Sequence, residues 1–141
     1  ESGKAEGATL IAGGEQVRIE SGGLYVTPTL FDQVNSSMKI AREEIFGPVL
    51  SVFSFTDLDD AIREANATSF GLQAGVWTSD LRKAHKMARA LRVGTVHVNQ
   101  YDEDDITVPF GGYKQSGNGR DKSLHALDKY TELKTTWIRI S

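Results

Sequence analysis

The sequence predicts an α/β fold with an open, parallel sheet, and three observations support that prediction. Three segments rich in β-branched and aromatic residues alternate with two amphipathic segments, and the links between them are short. Parallel strands need a crossover connection, which a helix supplies, and such crossovers are right-handed. We therefore expect a βαβαβ arrangement that runs from residue 49 to residue 99.

The first half of this arrangement is a strand followed by a helix. Residues 49–55 (VLSVFSF) read as a buried strand. Thr56 or Asp57 is placed to cap the helix that follows, since both side chains accept hydrogen bonds from free backbone N–H groups. The apolar side chains of this helix recur at helical spacing and form one stripe, made of Leu58, Ala61, Ile62 and Ala65.

The second half repeats the pattern. Residues 72–78 (LQAGVWT) read as a strand, Ser79 is expected to cap the next helix, and Gly94 ends the connection. Residues 95–99 (TVHVN) read as the third strand. The apolar stripe of the helix consists of Leu81, Ala84, Ala88 and Leu91.

The flanking segments are less regular. Residues 8–12 and 24–31 are predicted as strands, the second at a sheet edge because Pro28 cannot donate to a ladder. A short helix is expected at 123–129, and a final strand at 132–140 (ELKTTWIRI). The two faces of that strand do not separate into apolar and polar, as in strands that pair outside their own domain. We expect a main domain over residues 1–129 and a separate terminal strand segment over 130–141.

Composition excludes several functional classes. A net charge of −3 gives no electrostatic footprint for nucleic acid, and no apolar run approaches the length of a membrane span. The absence of cysteine excludes disulfides, thiolate metal sites and a cysteine nucleophile within these residues, and it is compatible with the cytosol. No pair among His85, His97 and His125 has metal-ligand spacing, so we expect structural roles for all three and no metal.

The first chemically informative motif is residues 43–49 (EEIFGPV), at the entrance to the first central strand. The Glu44 carboxylate can accept hydrogen bonds from a diol, and the Phe46 ring can pack against a flat heterocycle. Taken alone, a Glu-x-Phe sequence is more often a solvated carboxylate and a core aromatic. The whole heptad is far more specific than those two residues.

The second motif lies in the long glycine-rich segment, over residues 109–117 (PFGGYKQSG) and the adjoining 118–120 (NGR). Its glycines permit a tight loop. They form neither GxGxxG nor a P-loop, so phosphate binding by this loop is excluded. Phe110 considered alone is as well explained by core packing as by a ligand site.

An acidic run, residues 102–105 (DEDD), directly precedes that motif. Four adjacent carboxylates repel one another, and partial burial would raise the pKa of one or more of them. The run lacks the spaced ligands of an EF-hand. A solvated acidic turn and a cation-attracting substrate entrance both remain open at this point.

The two motifs together resemble the EEIFGPV and PFGGxKxSGxGR blocks of the NAD(P)-dependent aldehyde dehydrogenases, and the resemblance extends over residues 1–135. It implies that Glu44 contacts the nicotinamide ribose hydroxyls of NAD (or NADP) and that Phe46 packs near the nicotinamide. It further implies that Phe110 lines the aldehyde tunnel, with Asp102 and Asp104 at its entrance. Because Asp104 stands where an aromatic residue is common, the resemblance favours a cationic aminoaldehyde, as in the branch of the family that acts in putrescine breakdown.

The same resemblance implies that the chain is the C-terminal part of a cytoplasmic enzyme. In the family a cysteine thiolate attacks the aldehyde, and the cysteine, the general base and the dinucleotide-binding domain lie upstream of the part present here. No catalytic residue is therefore expected among these 141, and the chain alone should be inactive. The final strand should join the sheet of a partner subunit and so build a homo-oligomer.

Two alternatives remain. The chain could act as a binding or assembly module that pairs with complete dehydrogenase subunits through its last strand. It could also belong to a semialdehyde dehydrogenase for anionic substrates, although the acidic run speaks against that assignment.

Overall fold

The computed structural model describes residues 1–101 and 105–141, which form two compact units, residues 1–67 and residues 68–141. The domain boundary predicted at residue 129 falls inside the second unit and stays a prediction. None of the helices in the described ranges combines the length and hydrophobicity that a membrane crossing requires.

Four α-helices, two 3₁₀ helices and nine strands occur in the described residues. The α-helices are α1 (Ser2–Ala5), α2 (Lys39–Arg42), α3 (Leu58–Asn66) and α4 (Leu81–Ala90), and the 3₁₀ helices are Ile19–Ser21 and Leu124–Lys129. The strands are β1 (Thr9–Ala12), β2 (Gln16–Val17), β3 (Tyr25–Val26), β4 (Thr29–Asp32), β5 (Val49–Ser51), β6 (Phe70–Gly71), β7 (Gln73–Val76), β8 (Thr95–Val98) and β9 (Tyr113–Lys114).

The first unit is built on a three-stranded sheet in the order β1-β4-β5. Strand β4 is antiparallel to β1 and parallel to β5. Alternate residues of β4, Thr29 and Phe31, are buried, as the two-residue period of a strand requires. The hydrophobic core of this unit consists of Ala8, Phe31, Val34 and Met38.

The prediction of one edge strand over residues 24–31 is wrong. The segment divides into β3, which pairs with β2, and β4, which lies in the centre of its sheet. Pro28 falls between the two strands, so its missing N–H removes no rung of either ladder. The first residue of β4, Thr29, donates its N–H to the Pro48 carbonyl oxygen at 2.8 Å.

The single βαβαβ sheet is not confirmed. Strand β5 pairs with β4, whereas β7 and β8 form a separate parallel pair with α4 between them in the chain. Local patterns identify segments that suit a strand, but a ladder partner is chosen by long-range packing. The mixed α/β character of the chain is nevertheless as expected.

The helix starts agree with the sequence at α3 and differ at α4. Asp57 caps α3 and accepts a hydrogen bond from the Asp60 N–H at 2.8 Å. The cap of α4 is Asp80, and not Ser79, because the helix begins at Leu81 and the Asp80 carboxylate accepts from two backbone N–H groups of its first turn. The short helix predicted at 123–129 is a 3₁₀ helix capped by Ser123.

Residues 131–141 carry neither helix nor strand, and their side chains are exposed. The predicted final strand therefore has no ladder partner among the described residues of this chain. A strand that pairs outside its own chain would leave this observation unchanged, so its pairing remains a prediction.

Candidate functional site

The segment that carries Glu44 and Phe46 is a tight turn between α2 and β5. The Val49 N–H donates to the Gly47 carbonyl oxygen at 2.8 Å, which folds the chain around Pro48. The bond from Thr29 to Pro48 attaches this turn to β4. The rigid ring of Pro48 and the adjoining sheet thus hold the motif at one edge of the first unit.

Phe46 has an unusual backbone conformation. Its φ is +53°, in the left-handed region that bulky residues rarely adopt. Its side chain is 91% exposed, so core packing within this chain does not account for the conformation. An outlier of this kind is typical of functional sites, where the surrounding structure holds a strained residue in place.

Glu44 lies two residues before Phe46 and is exposed. It lines a hollow of about 300 Å³ together with Gly3, Phe31 and Ile40, while Phe46 does not line it. The neighbouring Glu43 has a different role, because its carboxylate lies 3.5 Å from the Lys39 ammonium in an exposed ion pair. The structure thus places Glu44 and Phe46 on the same turn.

Phe110 lies in the second unit, at the start of the glycine-rich segment. The Phe110 N–H donates to the Asp121 carbonyl oxygen at 2.9 Å, and the Asp121 N–H donates back at 2.6 Å, which closes the loop. The half-buried Phe110 ring lines a cavity of about 400 Å³ with His97 and Lys122, among others. The Lys122 ammonium lies 5.5 Å from the centroid of the Phe110 ring.

The glycines of this unit allow backbones to approach closely. A Cβ added at Gly94 would lie 1.6 Å from the Gly111 carbonyl oxygen, and one at Gly111 would lie 2.6 Å from the Gly119 carbonyl oxygen. Arg120 strengthens the loop by donating to the carbonyl oxygens of Gly112 and Gly119 at 3.0 and 2.7 Å. These residues shape the loop that carries Phe110.

Of the acidic run, Asp105 is described, and the predicted substrate residues Asp102 and Asp104 lie outside the described residues. The Thr107 N–H and hydroxyl both donate to the Asp105 carboxylate at 2.8 Å. These bonds favour the charged form and hold the pKa of Asp105 below its usual value. The wall of the Phe110 cavity therefore carries both a negative charge, from Asp105, and a positive charge, from Lys122.

His97, for which a structural role is expected, is 7% exposed and borders the Phe110 cavity. Sequence reasoning missed the role of Asn99 in the second unit. Asn99 has a φ of +55°, and its side-chain amide binds the backbone of Thr78, two residues beyond the end of β7. The available signal was an Asn directly after a strand, since Asn tolerates the left-handed conformation better than most residues.

The predicted site residues thus fall into two groups. Glu44 and Phe46 share one turn of the first unit, and Phe110 lines a cavity of the second. Within residues 1–101 and 105–141, no cluster of histidine and carboxylate side chains is arranged to hold a metal ion.

Comparison with known proteins agrees with the family that the two motifs indicated. The model of the aldehyde dehydrogenase family matches residues 1–136. The NADP/NAD-dependent aldehyde dehydrogenase PuuC of Escherichia coli (strain K12) is 58% identical over 115 residues, which are 82% of this chain and 23% of that protein.

Two solved structures are similar in both fold and sequence. An indole-3-acetaldehyde dehydrogenase in complex with NAD+ superposes with a TM-score of 0.91 at 64% identity, over 99% of this chain and 28% of that one. The gamma-glutamyl-gamma-aminobutyraldehyde dehydrogenase of Burkholderia cenocepacia J2315 gives 0.89 at 62% identity, over 96% of this chain and 27% of that one. The chain spans about a quarter of the length of these relatives. On this evidence the chain belongs to the aldehyde dehydrogenase family.

Proposed function

We propose that this chain is part of an enzyme that oxidises an aldehyde to a carboxylic acid with NAD+ or NADP+. The observation that carries the proposal is the turn at 43–49, where an exposed aromatic ring in a strained backbone stands two residues from an exposed carboxylate. The named NAD+ complex of a relative that is 64% identical supports the choice of cofactor.

Two residues of the turn, Glu44 and Phe46, have a defined role in this proposal. The Glu44 carboxylate accepts hydrogen bonds from the two ribose hydroxyls, and charge-assisted bonds of this kind are the stronger ones. The exposed Phe46 ring offers a flat apolar surface for the nicotinamide. The cofactor, when bound, supplies the hydride acceptor. Residues 43–49 thereby orient it without taking part in bond making.

The chain supplies no nucleophile to this reaction. It contains no cysteine, so the thiolate that attacks the aldehyde in this family belongs to residues outside the 141. We therefore expect the isolated chain to be inactive. Phe110, beside its cavity, contributes an apolar wall to the aldehyde site.

The proposed substrate is a cationic aminoaldehyde. Residues 102–105 are all acidic, and the lowered pKa of Asp105 keeps at least that carboxylate charged at neutral pH. The Burkholderia cenocepacia relative is named for an aminobutyraldehyde whose nitrogen is acylated by a glutamyl group, so its name supports an amine-derived aldehyde and not the positive charge. The indole-3-acetaldehyde named for the other structure is also without a cationic group, so the charge of the proposed substrate rests on the acidic run.

A comparison of aldehydes tests both parts of the proposal. The full-length protein that contains this chain is assayed for NADH and NADPH formation with 4-aminobutyraldehyde, indole-3-acetaldehyde and succinic semialdehyde, and the 141-residue chain serves as the control. We expect kcat/KM to be highest for the aminoaldehyde and the control to be inactive. Absence of turnover with every aldehyde would refute the enzymatic function, and a preference for succinic semialdehyde would refute the cationic substrate alone.

The proposed partner is a second copy of the same protein. Residues 130–141 expose large apolar side chains that include Leu133, Trp137 and Ile140. Such a segment has the composition of a strand that completes the sheet of another subunit. An assembly module without catalysis would use the same segment, and the aldehyde assay distinguishes the two.

A further inference from the structure

Asn99 occupies the point at which the chain leaves the parallel pair β7–β8. Its N–H donates to the Val76 carbonyl oxygen at 2.8 Å, as the ladder requires. The next rung of a parallel ladder would join the Thr78 N–H to the carbonyl oxygen of Asn99. Instead, the Thr78 N–H donates to the side-chain oxygen Oδ1 of Asn99 at 2.8 Å.

The Asn99 amide also forms a second bond to the same residue. Its Nδ2 donates to the Thr78 carbonyl oxygen at 2.9 Å, so one side chain satisfies both backbone groups of Thr78. An amide is suited to this because it carries a donor and an acceptor side by side. The left-handed φ of +55° turns the main chain of Asn99 away from the ladder while its side chain continues the ladder.

The chain therefore reverses direction at Asn99. Two residues later, the Tyr101 hydroxyl accepts a hydrogen bond at 3.3 Å from Nε2 of Gln73, which stands at the beginning of β7. The Tyr101 ring centroid lies 6.3 Å from that of His97. Tyr101 thus lies near β8, and the segment from Asp105 to Phe110 borders the same cavity as Thr95, Val96 and His97.

We propose that Asn99 is a positioning residue for aldehyde binding. Its bonds to Thr78 set the direction in which the chain leaves β8, and so place the loop that carries Phe110. This proposal rests on the proposed function, in which Phe110 lines the aldehyde site. It concerns the aldehyde and not the cofactor, because the proposed cofactor contacts lie in residues 43–49.

Three substitutions at Asn99 distinguish the contribution of its side-chain amide from that of its left-handed backbone. Asn99→Gly retains the left-handed backbone and removes the amide. Asn99→Ala removes the amide and strains the backbone as well. Asn99→Asp retains the acceptor for the Thr78 N–H and loses the donor to the Thr78 carbonyl. Gln33→Gly is the matched control, because Gln33 is another exposed amide residue with a positive φ, of +56°, and lies in the first unit.

The full-length protein is assayed for KM and kcat with 4-aminobutyraldehyde and for KM with NAD+, and amide hydrogen exchange of Thr78 is measured in parallel. For Asn99→Gly we expect a rise in the aldehyde KM of about tenfold, typical of a lost set of hydrogen bonds, with the NAD+ KM unchanged. Thr78 exchange should accelerate in Asn99→Gly and Asn99→Ala and stay protected in Asn99→Asp. Asn99→Ala should show the largest rise in KM.

An unchanged aldehyde KM in Asn99→Gly, with faster Thr78 exchange, would overturn the positioning role while leaving the enzymatic function intact. Equal increases in both KM values would also overturn it, because they would indicate general loss of structure. Absence of turnover of 4-aminobutyraldehyde by the unsubstituted protein would instead refute the proposed substrate, and the exchange of Thr78 would still report the bond to Asn99.

Discussion

Phe46 and Glu44 place both proposed cofactor contacts on a single turn. The sequence suggested their roles only through a seven-residue motif, because an isolated carboxylate is usually a solvated surface group and an isolated Phe is usually a core residue. The structure adds a backbone φ of +53° and a ring that is 91% exposed at Phe46. Neither property follows from residue type, since a Phe in this sequence pattern would ordinarily be expected in the core.

Replacement of Glu44 by Gln in the full-length protein tests its assigned role. Gln keeps the size of the side chain and removes the charge that strengthens hydrogen bonds to hydroxyl groups. We expect the KM for NAD+ to rise and turnover to fall by about tenfold in kcat/KM. Steady-state kinetics with NAD+ as the varied substrate measures the change.

Glu43→Gln is the control for that experiment. Glu43 carries the same charge one residue earlier but pairs with Lys39 on the exposed surface, where ion pairs contribute little. Its kinetics should match those of the unsubstituted protein. Equal effects of the two substitutions would show that the negative potential of the region matters, and not a specific bond from Glu44.

Helix α4 shows how accurately sequence patterns predict the first residue of a helix. Its existence was predicted, but only part of its predicted apolar stripe is buried: Ala84 and Leu91 are buried, whereas Leu81 and Ala88 are exposed. Its first residue was placed one position too early, because Ser79 and Asp80 are both good capping residues. The carboxylate of Asp80 accepts from Arg82 N–H and Lys83 N–H, and that geometry decides the helix start.

Asp80→Ala should therefore destabilise the second unit. The substitution leaves two N–H groups of the first turn without their side-chain acceptor, which costs about 1 kcal/mol in the free energy of unfolding. Urea denaturation measures this difference. Ser79→Ala, one residue outside the helix, should change the free energy of unfolding far less, and the reverse order would contradict the assignment of the cap.

Gly94→Ala tests the close approach of the glycine-rich loop. The added Cβ would lie 1.6 Å from the Gly111 carbonyl oxygen, so one of the two backbones must move. We expect a loss of stability of at least about 3 kcal/mol, in the range of severe overpacking. The matched control is Gly47→Ala, where the nearest atom would be 4.0 Å away. Thermal denaturation of each variant measures the loss of stability. Equal melting temperatures of the two variants would rule out the close approach of Gly94 to the Gly111 carbonyl oxygen.

Among the described residues, more large apolar side chains are exposed than buried. The side chain of Trp137 is 93% exposed, and Leu133 is exposed throughout. Patches of this kind mark surfaces that associate with other chains. Residues 130–141 have no ladder partner among the described residues of this chain. In the proposed pairing, the partner is a strand of another subunit.

Positive charges introduced into residues 130–141 test that association. Leu133→Lys combined with Trp137→Lys in the full-length protein should shift the oligomer toward smaller species, since an exposed cation opposes burial in an interface. Light scattering after size-exclusion chromatography measures the mass. Leu24→Lys, a charge at another position that is 90% exposed, should leave the mass unchanged. An unaltered mass in the double variant would remove the tail from the interface.

Local sequence information was sufficient for the family, for both motifs, for the longer helices α3 and α4 and for the strands β1, β5, β7 and β8. Periodicity, capping residues and motif composition depend on neighbouring residues, and a linear reading captures them. The sequence therefore determined that residues 43–49 and 109–120 belong to an aldehyde dehydrogenase. It also determined that no cysteine nucleophile lies among these 141 residues.

Only the tertiary structure decided which strands pair and where the chain turns. Strand β5 joins β4 and not β7, and Pro28 precedes a central strand, because ladder partners are selected by packing between distant segments. The left-handed backbone conformations of Phe46 and Asn99 are also known only from the tertiary structure. Hydrogen bonds to residues far along the chain hold the segments that contain them, as from Thr29 to Pro48 and from Asn99 to Thr78. Residue type indicates only that Asn99 tolerates such a conformation, and for Phe46 it gives no indication.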